Sequence, residues 1–109
     1  MTIATFYTEG SRITGFEVKG HSGFASQGED IVCAAITSAI RLVDTTMNDV
    51  LGLEVSVKAK QKDASITLKL PASLGGTNES TCQALLTGIM VHFVELSEEY
   101  PENISVLEV

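Results

Sequence analysis

The chain has 109 residues, of which 44 % are hydrophobic and 19 % charged, so we expect a single globular domain over residues 1–109 rather than a disordered segment. Its formal net charge of −7 argues against a protein that mainly neutralises phosphates, and we expect no direct nucleic-acid binding. The opening MTIATFYTEG resembles no leader peptide, no apolar run of about 18 residues exists, and only two cysteines occur, which predicts a cytoplasmic protein with reduced thiols and no membrane segment.

Two extended segments and a loop begin the chain. Residues 2–8 are rich in β-branched and aromatic types, Glu9-Gly10-Ser11 supplies turn residues, and residues 12–20 alternate again. This pattern predicts a β-hairpin. Residues 21–29 contain small polar residues and glycines and have neither periodicity, which predicts a loop.

A helix is predicted from Asp30, which is a suitable N-cap, to Gly52, which is a suitable stop. Apolar residues recur at three- or four-residue intervals and predict one buried face: Val32, Ile36, Ala39, Val43, Met47 and Val50. Further apolar residues widen that surface: Ile31, Ala35, Ile40 and Leu42. We therefore expect the first half of this helix to be enclosed on more than one side.

The second half of the chain repeats the order of two strands and a helix. Residues 53–61 and 64–71 alternate across a turn near Lys62-Asp63, and a helical period follows from about residue 78 to residue 99. Pro101 ends that helix, and residues 104–109 are compatible with a last strand. The order β-β-α-β-β-α-β predicts an α+β fold with two helices against mainly antiparallel strands.

Cys33 and His21 are the residues that point to chemistry. Cys33 stands at about the third position of the predicted helix, where the helix dipole favours a thiolate, and His21 precedes it by twelve residues. A cysteine and a histidine form the minimal unit of thiol nucleophilic catalysis. The alternatives are a small buried cysteine and a solvated loop histidine. Asp30 either caps the helix or orients His21.

A longer motif surrounds these two residues. Gly20-His21, followed by residues 28–35 with the sequence Gly-Glu-Asp-Ile-Val-Cys-Ala-Ala, resembles the signature of the bacterial ribosomal-processing cysteine proteases. The resemblance implies that Cys33 is the nucleophile, His21 the general base, and Asp30 and Thr37 supporting residues. The chain departs from the family pattern at Ser22, where alanine is usual, and at Thr37, where serine is frequent.

The same resemblance implies a substrate and an assembly. Family members remove the N-terminal extension of a large-subunit ribosomal protein, number twenty-seven of that subunit, which is a basic partner for an acidic homodimer. The implied substrate-binding loop carries the residues Gly20, Ser22, Gly23, Phe24 and Gly28. The oxyanion is expected at the helix start, with the backbone N–H of Cys33 as a donor. No metal or cofactor is expected.

Two other classes of function stay open from the residues alone. One is a non-enzymatic module that binds a ribosomal protein, and the other is a thiol redox sensor in which Cys82 resolves an oxidised Cys33. Cys82 falls among apolar residues at helical spacing and is expected in the core, and His92 is expected either to have a hydrogen-bond partner or to face solvent. A zinc site built from the cysteines and histidines lacks a close-spaced ligand pair.

Overall fold

The computed structural model describes residues 1–20 and 27–109, with the backbone alone at residues 27–30. In chain order its elements are β1 (Thr2–Glu9), β2 (Arg12–Lys19), α1 (Gln27–Asp44), a π-helical continuation of α1 (Thr45–Val50), β3 (Ser56–Lys60), β4 (Ser65–Lys69), α2 (Gly76–Glu99) and β5 (Ile104–Glu108). The predicted order and the α+β class are confirmed. Neither helix in the described parts combines the length and apolar character that crossing a membrane requires.

The five strands form one sheet in the order β3-β4-β2-β1-β5. All neighbouring pairs are antiparallel except β1 and β5, which run parallel with Thr2 opposite Ile104. On β2, Lys19 lies opposite Ser65 of β4. The beginnings of β1, β4 and β5 and the end of β2 therefore lie side by side at one end of the sheet. We call this end, where strands start or finish, the β1-start edge.

The two helices cover one face of this sheet. Along β1, Ala4 and Phe6 are fully buried whereas Ile3 and Tyr7 are exposed, as the alternation of side chains in a strand requires. The Phe6 ring lies 5.4 Å from the ring centroid of Phe16 on β2 and 6.2 Å from that of Phe93 on α2. These aromatic contacts attach α2 to the middle of the sheet.

The first helix starts earlier than the sequence predicts. Because α1 begins at Gln27, Asp30 lies inside its first turn and is not the N-cap, and Gly28 belongs to the helix and not to the loop. The polar residues of the first turn carry no apolar period, so the pattern marked the start of the buried stripe instead of the start of the helix. The predicted stop is supported, since Gly52 has a φ of +68° just after the helical segment.

One stripe of α1 and its π-helical continuation faces the core, consisting of Val32, Ile36, Ile40, Val43 and Met47. Of the four residues predicted to widen this surface, Ile40 is buried and Ala35 is partly buried, whereas Ile31 and Leu42 are 54 % and 67 % exposed, so α1 is not enclosed on further sides. Val50 is also misassigned to the buried face and is 73 % exposed. It lies in the π-helical segment, whose wider turn has a different angular period from an α-helix and rotates the residue out of the stripe.

The second hairpin is shorter than predicted because the backbone groups of Val55 bind a side chain instead of a neighbouring strand. The side chain of Asn48 accepts a hydrogen bond from the Val55 N–H at 2.8 Å and donates one to the Val55 carbonyl at 3.1 Å. These bonds replace strand pairing, so β3 begins only at Ser56. The predicted turn at Lys62-Asp63 is confirmed, and Ala64 completes it with a φ of 48°.

Candidate active site

A cavity of about 220 Å³ opens between α1 and the sheet at the β1-start edge. It is lined by Thr2, Val18, Gly20, Cys33, Ile36, Thr37, Ile40, Ala64 and Ile66. The residues from α1 recur at helical spacing, so they lie on the helix face that turns toward the sheet. The sulfur-bearing residue and the glycine that precedes His21 therefore share one cavity.

Cys33 is a free, half-buried cysteine in the second turn of α1. It is the seventh residue of the helix and not the third, which changes the expected source of an oxyanion donor. The unpaired N–H groups of an α-helix belong to its first four residues, whereas an N–H in the second turn donates to the carbonyl four residues earlier. The position of Cys33 in α1 therefore does not favour the prediction that its backbone N–H is a free donor.

Gly20 is held at the cavity wall by β1 and by the turn between β3 and β4. Its N–H donates to the carbonyl of Ala64 at 3.1 Å, and its own carbonyl accepts a hydrogen bond from the hydroxyl of Thr2 at 3.1 Å. Its φ is +95°, and an added Cβ would lie 2.8 Å from the carbonyl oxygen of Met1. Both the conformation and the space require glycine at this position.

The other predicted site residues are only partly described. His21, Ser22, Gly23 and Phe24 lie outside the described residues. The backbone of Asp30 belongs to the first turn of α1. Thr37 lines the cavity one helical turn after Cys33, so the structure brings these two residues together. The catalytic roles of His21 and Cys33 stay predictions.

Sequence reasoning did not identify the cavity residues outside the motif, chiefly Thr2, Ala64 and Ile66. Thr2 and Ala64 are remote from the motif along the chain and contact Gly20 because β1 and β4 pair with β2. One usable signal was present for Thr2, because alternation along β1 places it on the same face as Ala4 and Phe6. That signal predicts burial of Thr2 but not what its hydroxyl binds.

Cys82 has the properties of a core residue, as predicted. It is fully buried in the second turn of α2, and this burial raises the pKa of its thiol. The nearby carboxylate of Glu79 raises that pKa further, and the guanidinium of Arg12 opposes the effect. A protonated, inaccessible thiol is a poor nucleophile at neutral pH.

The two cysteines lie near opposite ends of the helical layer. α1 leads away from the β1-start edge, where β2 ends, and α2 leads back to it, where β5 begins, so the two helices are antiparallel. Ala35, which is close to Cys33 in the chain, lines one groove with His92. Along α2, ten residues separate Cys82 from His92, which corresponds to about 15 Å of helix. A disulfide needs Cα atoms about 5.5 Å apart, so this arrangement does not favour pairing of Cys33 with Cys82.

His92 is exposed beside the ring of Phe93, as expected. Outside residues 21–30, whose side chains are not described, no group of three or more His, Cys, Asp or Glu side chains is arranged to hold a metal ion.

Comparison with known proteins matches this chain to one family. The sequence model of the family described as Cysteine protease Prp matches residues 1–105. A curated relative, the ribosomal processing cysteine protease Prp of Bacillus subtilis (strain 168), is 27 % identical over 94 residues, covering 86 % of this chain and 84 % of the relative.

Solved structures share the fold. The Prp protease of S. aureus in complex with a substrate peptide superposes with a TM-score of 0.85 at 18 % identity, covering 100 % of both chains. A Streptococcus mutans protein gives a TM-score of 0.86 at 23 % identity, covering 100 % of this chain and 94 % of the other. Because the family match extends over nearly the whole sequence, the chain belongs to the Cysteine protease Prp family and is a cysteine peptidase.

Proposed function

We propose that this peptidase uses Cys33 as nucleophile and His21 as general base to remove the N-terminal extension of large-subunit ribosomal protein number twenty-seven. The observation that supports the assignment best is the shared cavity of Gly20 and Cys33. His21 directly follows Gly20 in the chain, so the proposed base is attached to a residue that lines the cavity of the thiol. A nucleophile and its base need this proximity for proton transfer.

The reaction proposed at this site is acyl transfer. His21 accepts the thiol proton, the Cys33 sulfur attacks the scissile carbonyl, and the tetrahedral intermediate collapses to a thioester as His21 protonates the leaving amine. Water then hydrolyses the thioester and frees the sulfur. Asp30 orients His21 in this scheme, and Thr37 supports the site from the next turn of α1. The S. aureus Prp has been solved with a covalently linked product peptide, which accords with a covalent route in that relative.

The cavity suggests which substrate side chain lies beside the scissile bond. Most of its walls are aliphatic, contributed by Val18, Ile36, Ile40 and Ile66. A charged side chain would lose its hydration there without gaining a partner. The site is therefore proposed to accept an uncharged, apolar residue, with Gly20 and the neighbouring Ser22, Gly23 and Phe24 contacting the rest of the peptide.

The ribosomal substrate is supported by the name of the Bacillus subtilis relative, which is a ribosomal processing protease. The charge of −7 suits a basic protein partner of that kind. The proposal includes action in the cytoplasm, as a homodimer of single-domain chains, without a cofactor and without direct contact to nucleic acid.

The test is incubation of the enzyme with the extended ribosomal protein from the same organism. Wild type is expected to give two fragments, whereas Cys33→Ala and His21→Ala give none at matched folded concentration. Cys82→Ser is the control for loss of a thiol elsewhere and should retain cleavage. Cleavage by Cys33→Ala would overturn the assignment of the nucleophile, and an intact substrate with wild type would overturn the choice of substrate.

The geometry favours peptidase chemistry over the redox alternative, because Cys82 is buried and remote from the cavity that holds Cys33. Membership in a protease family likewise argues against a binding module without activity.

A further inference from the structure

Thr2, the first residue of β1, contacts Gly20 through its side chain. It is 3 % exposed, it lines the Cys33 cavity, and its hydroxyl donates to the carbonyl of Gly20 at 3.1 Å. The backbone N–H of Thr2 in turn donates to the carbonyl of Asn103 at 2.9 Å, so Thr2 is itself anchored where β5 begins. Because this hydroxyl is buried and bonded to one partner, the position of β1 restrains the position of the Gly20 carbonyl.

The acceptor of this bond is the carbonyl that belongs to the peptide joining Gly20 to residue 21. The planar peptide has only the rotations at its two Cα atoms, so fixing its carbonyl oxygen fixes the direction in which the chain continues. The N–H of the same glycine is held by Ala64 at 3.1 Å. Glycine alone is free to rotate widely at such a position, and these two bonds remove that freedom.

We propose that Thr2 is a positioning residue of the peptidase, whose buried hydroxyl orients the Gly20–His21 peptide so that His21 is directed at Cys33. The inference rests on the proposed roles of His21 and Cys33. It assigns a function to a residue outside the motif, on a different strand and nineteen positions before the histidine it serves.

The structure supplies matched variants for the test. Thr2→Val keeps the shape and the β-branched stem but removes the donor, and Thr2→Ser keeps the donor. Thr8→Val is the control, because the Thr8 hydroxyl donates to the carbonyl of Val109 at 2.9 Å at the far end of the same strand. Each variant is assayed for kcat, KM and melting temperature with a peptide spanning the cleavage site.

The expected result is a loss confined to turnover. Thr2→Val should lower kcat by about 10- to 100-fold with little change in KM, as a misplaced catalytic group does, whereas Thr2→Ser and Thr8→Val stay near wild type. A Thr2→Val enzyme that melts at a lower temperature but turns over normally per folded molecule would overturn the inference, because the hydroxyl would then serve the fold alone.

A second measurement separates this inference from the proposed function. The rate of Cys33 alkylation by iodoacetamide is followed by mass spectrometry in wild type and in His21→Ala, each with and without Thr2→Val. Thr2→Val should slow alkylation only when His21 is present, and equal slowing in both backgrounds overturns the inference. Full cleavage by His21→Ala would instead overturn the proposed base, whatever Thr2→Val does.

Discussion

Gly20 joins the end of β2 to the residue proposed as the base. Its φ of +95° lies in the region that disfavours side chains, and a Cβ would approach the Met1 carbonyl oxygen to 2.8 Å. Gly10, in the turn between β1 and β2, also has a positive φ of +63°, but a Cβ there meets nothing within 4 Å. Substitutions at the two glycines therefore distinguish the cost of backbone strain alone from the cost of strain combined with steric overlap.

Gly20→Ala is expected to lower both stability and activity. Positive φ costs an L-residue roughly 1–2 kcal/mol, and the overlap with a backbone oxygen adds to this, so a loss of about 2–4 kcal/mol is expected in urea unfolding. Cleavage per folded molecule should fall at least about ten-fold, because the peptide before His21 must move.

Gly10→Ala is the matched control for this prediction. It should cost only about 1–2 kcal/mol, from strain alone, and leave cleavage unchanged. Equal losses of stability and equal activities in the two variants would show that the overlap with the Met1 carbonyl affects neither the free energy of unfolding nor cleavage.

At the scale of single residues, the sequence identified the motif better than its surroundings. Gly20 and Cys33 were predicted from local pattern, because a glycine–histidine pair and a cysteine near a helix start have recognisable neighbours. Thr2 and Ala64 were not, because their contacts with Gly20 depend on which strands pair and in which register. Register is a property of the whole sheet, so no local window contains it.

Among the elements, the hairpins and helices were predictable from hydrophobic period, and the errors lie at their ends. Asp30 is a good N-cap by type, yet α1 begins before it at Gln27. The spacing of apolar residues predicts neither a polar first turn nor the change to a π-helix at Thr45. The shift matters for function, because it moves Cys33 from the first helical turn into the second.

Polar side chains attach the hairpin of β1 and β2 to α2. The hydrophobic periodicity of the sequence does not predict these contacts. Gln83 accepts a hydrogen bond from the Ile13 N–H and donates one to the Ile13 carbonyl, both at 2.8 Å. Beside it, Arg12 pairs with Glu79 at 3.0 Å and also donates to the carbonyl of Pro71 at 2.8 Å. The amide of Gln83 satisfies both backbone groups of one strand residue, which a carboxylate of the same shape cannot do.

Gln83→Glu is therefore expected to destabilise the fold without touching the cavity. It removes the donor to Ile13 and sets a carboxylate against a carbonyl oxygen, at a cost of about 1–3 kcal/mol in the free energy of unfolding. Cleavage at 25 °C should persist, since Gln83 lies outside the residues that line the Cys33 cavity.

Glu95→Gln is the comparison on the same helix, at an exposed position. It should change stability by no more than about 0.5 kcal/mol. Urea unfolding of both variants checks the prediction, and a Gln83→Glu protein as stable as Glu95→Gln would contradict it.

For the whole molecule, the relevant property is where the negative charge lies. The end of α2 and the turn after it carry Glu98, Glu99 and Glu102, all exposed. This turn leads directly into Ile104, which lies opposite Thr2 on β1. The acidic residues are thus at the β1-start edge, where the Cys33 cavity opens. Acidic side chains at a helix C-terminus interact unfavourably with the helix dipole, so this placement does not stabilise α2.

Neutralising this acidic end should slow the capture of a basic substrate. The double variant Glu98→Gln/Glu99→Gln is expected to lower kcat/KM for the basic ribosomal protein about two- to ten-fold at low salt, with kcat unchanged, because steering acts on encounter. The difference should vanish near 1 M salt, where the Debye length is about 3 Å. Asp49→Asn/Glu54→Gln removes two charges from exposed positions at the opposite edge and should have a smaller effect. Equal effects of the two pairs at low salt would mean that net charge, and not its location beside the cavity, governs the encounter.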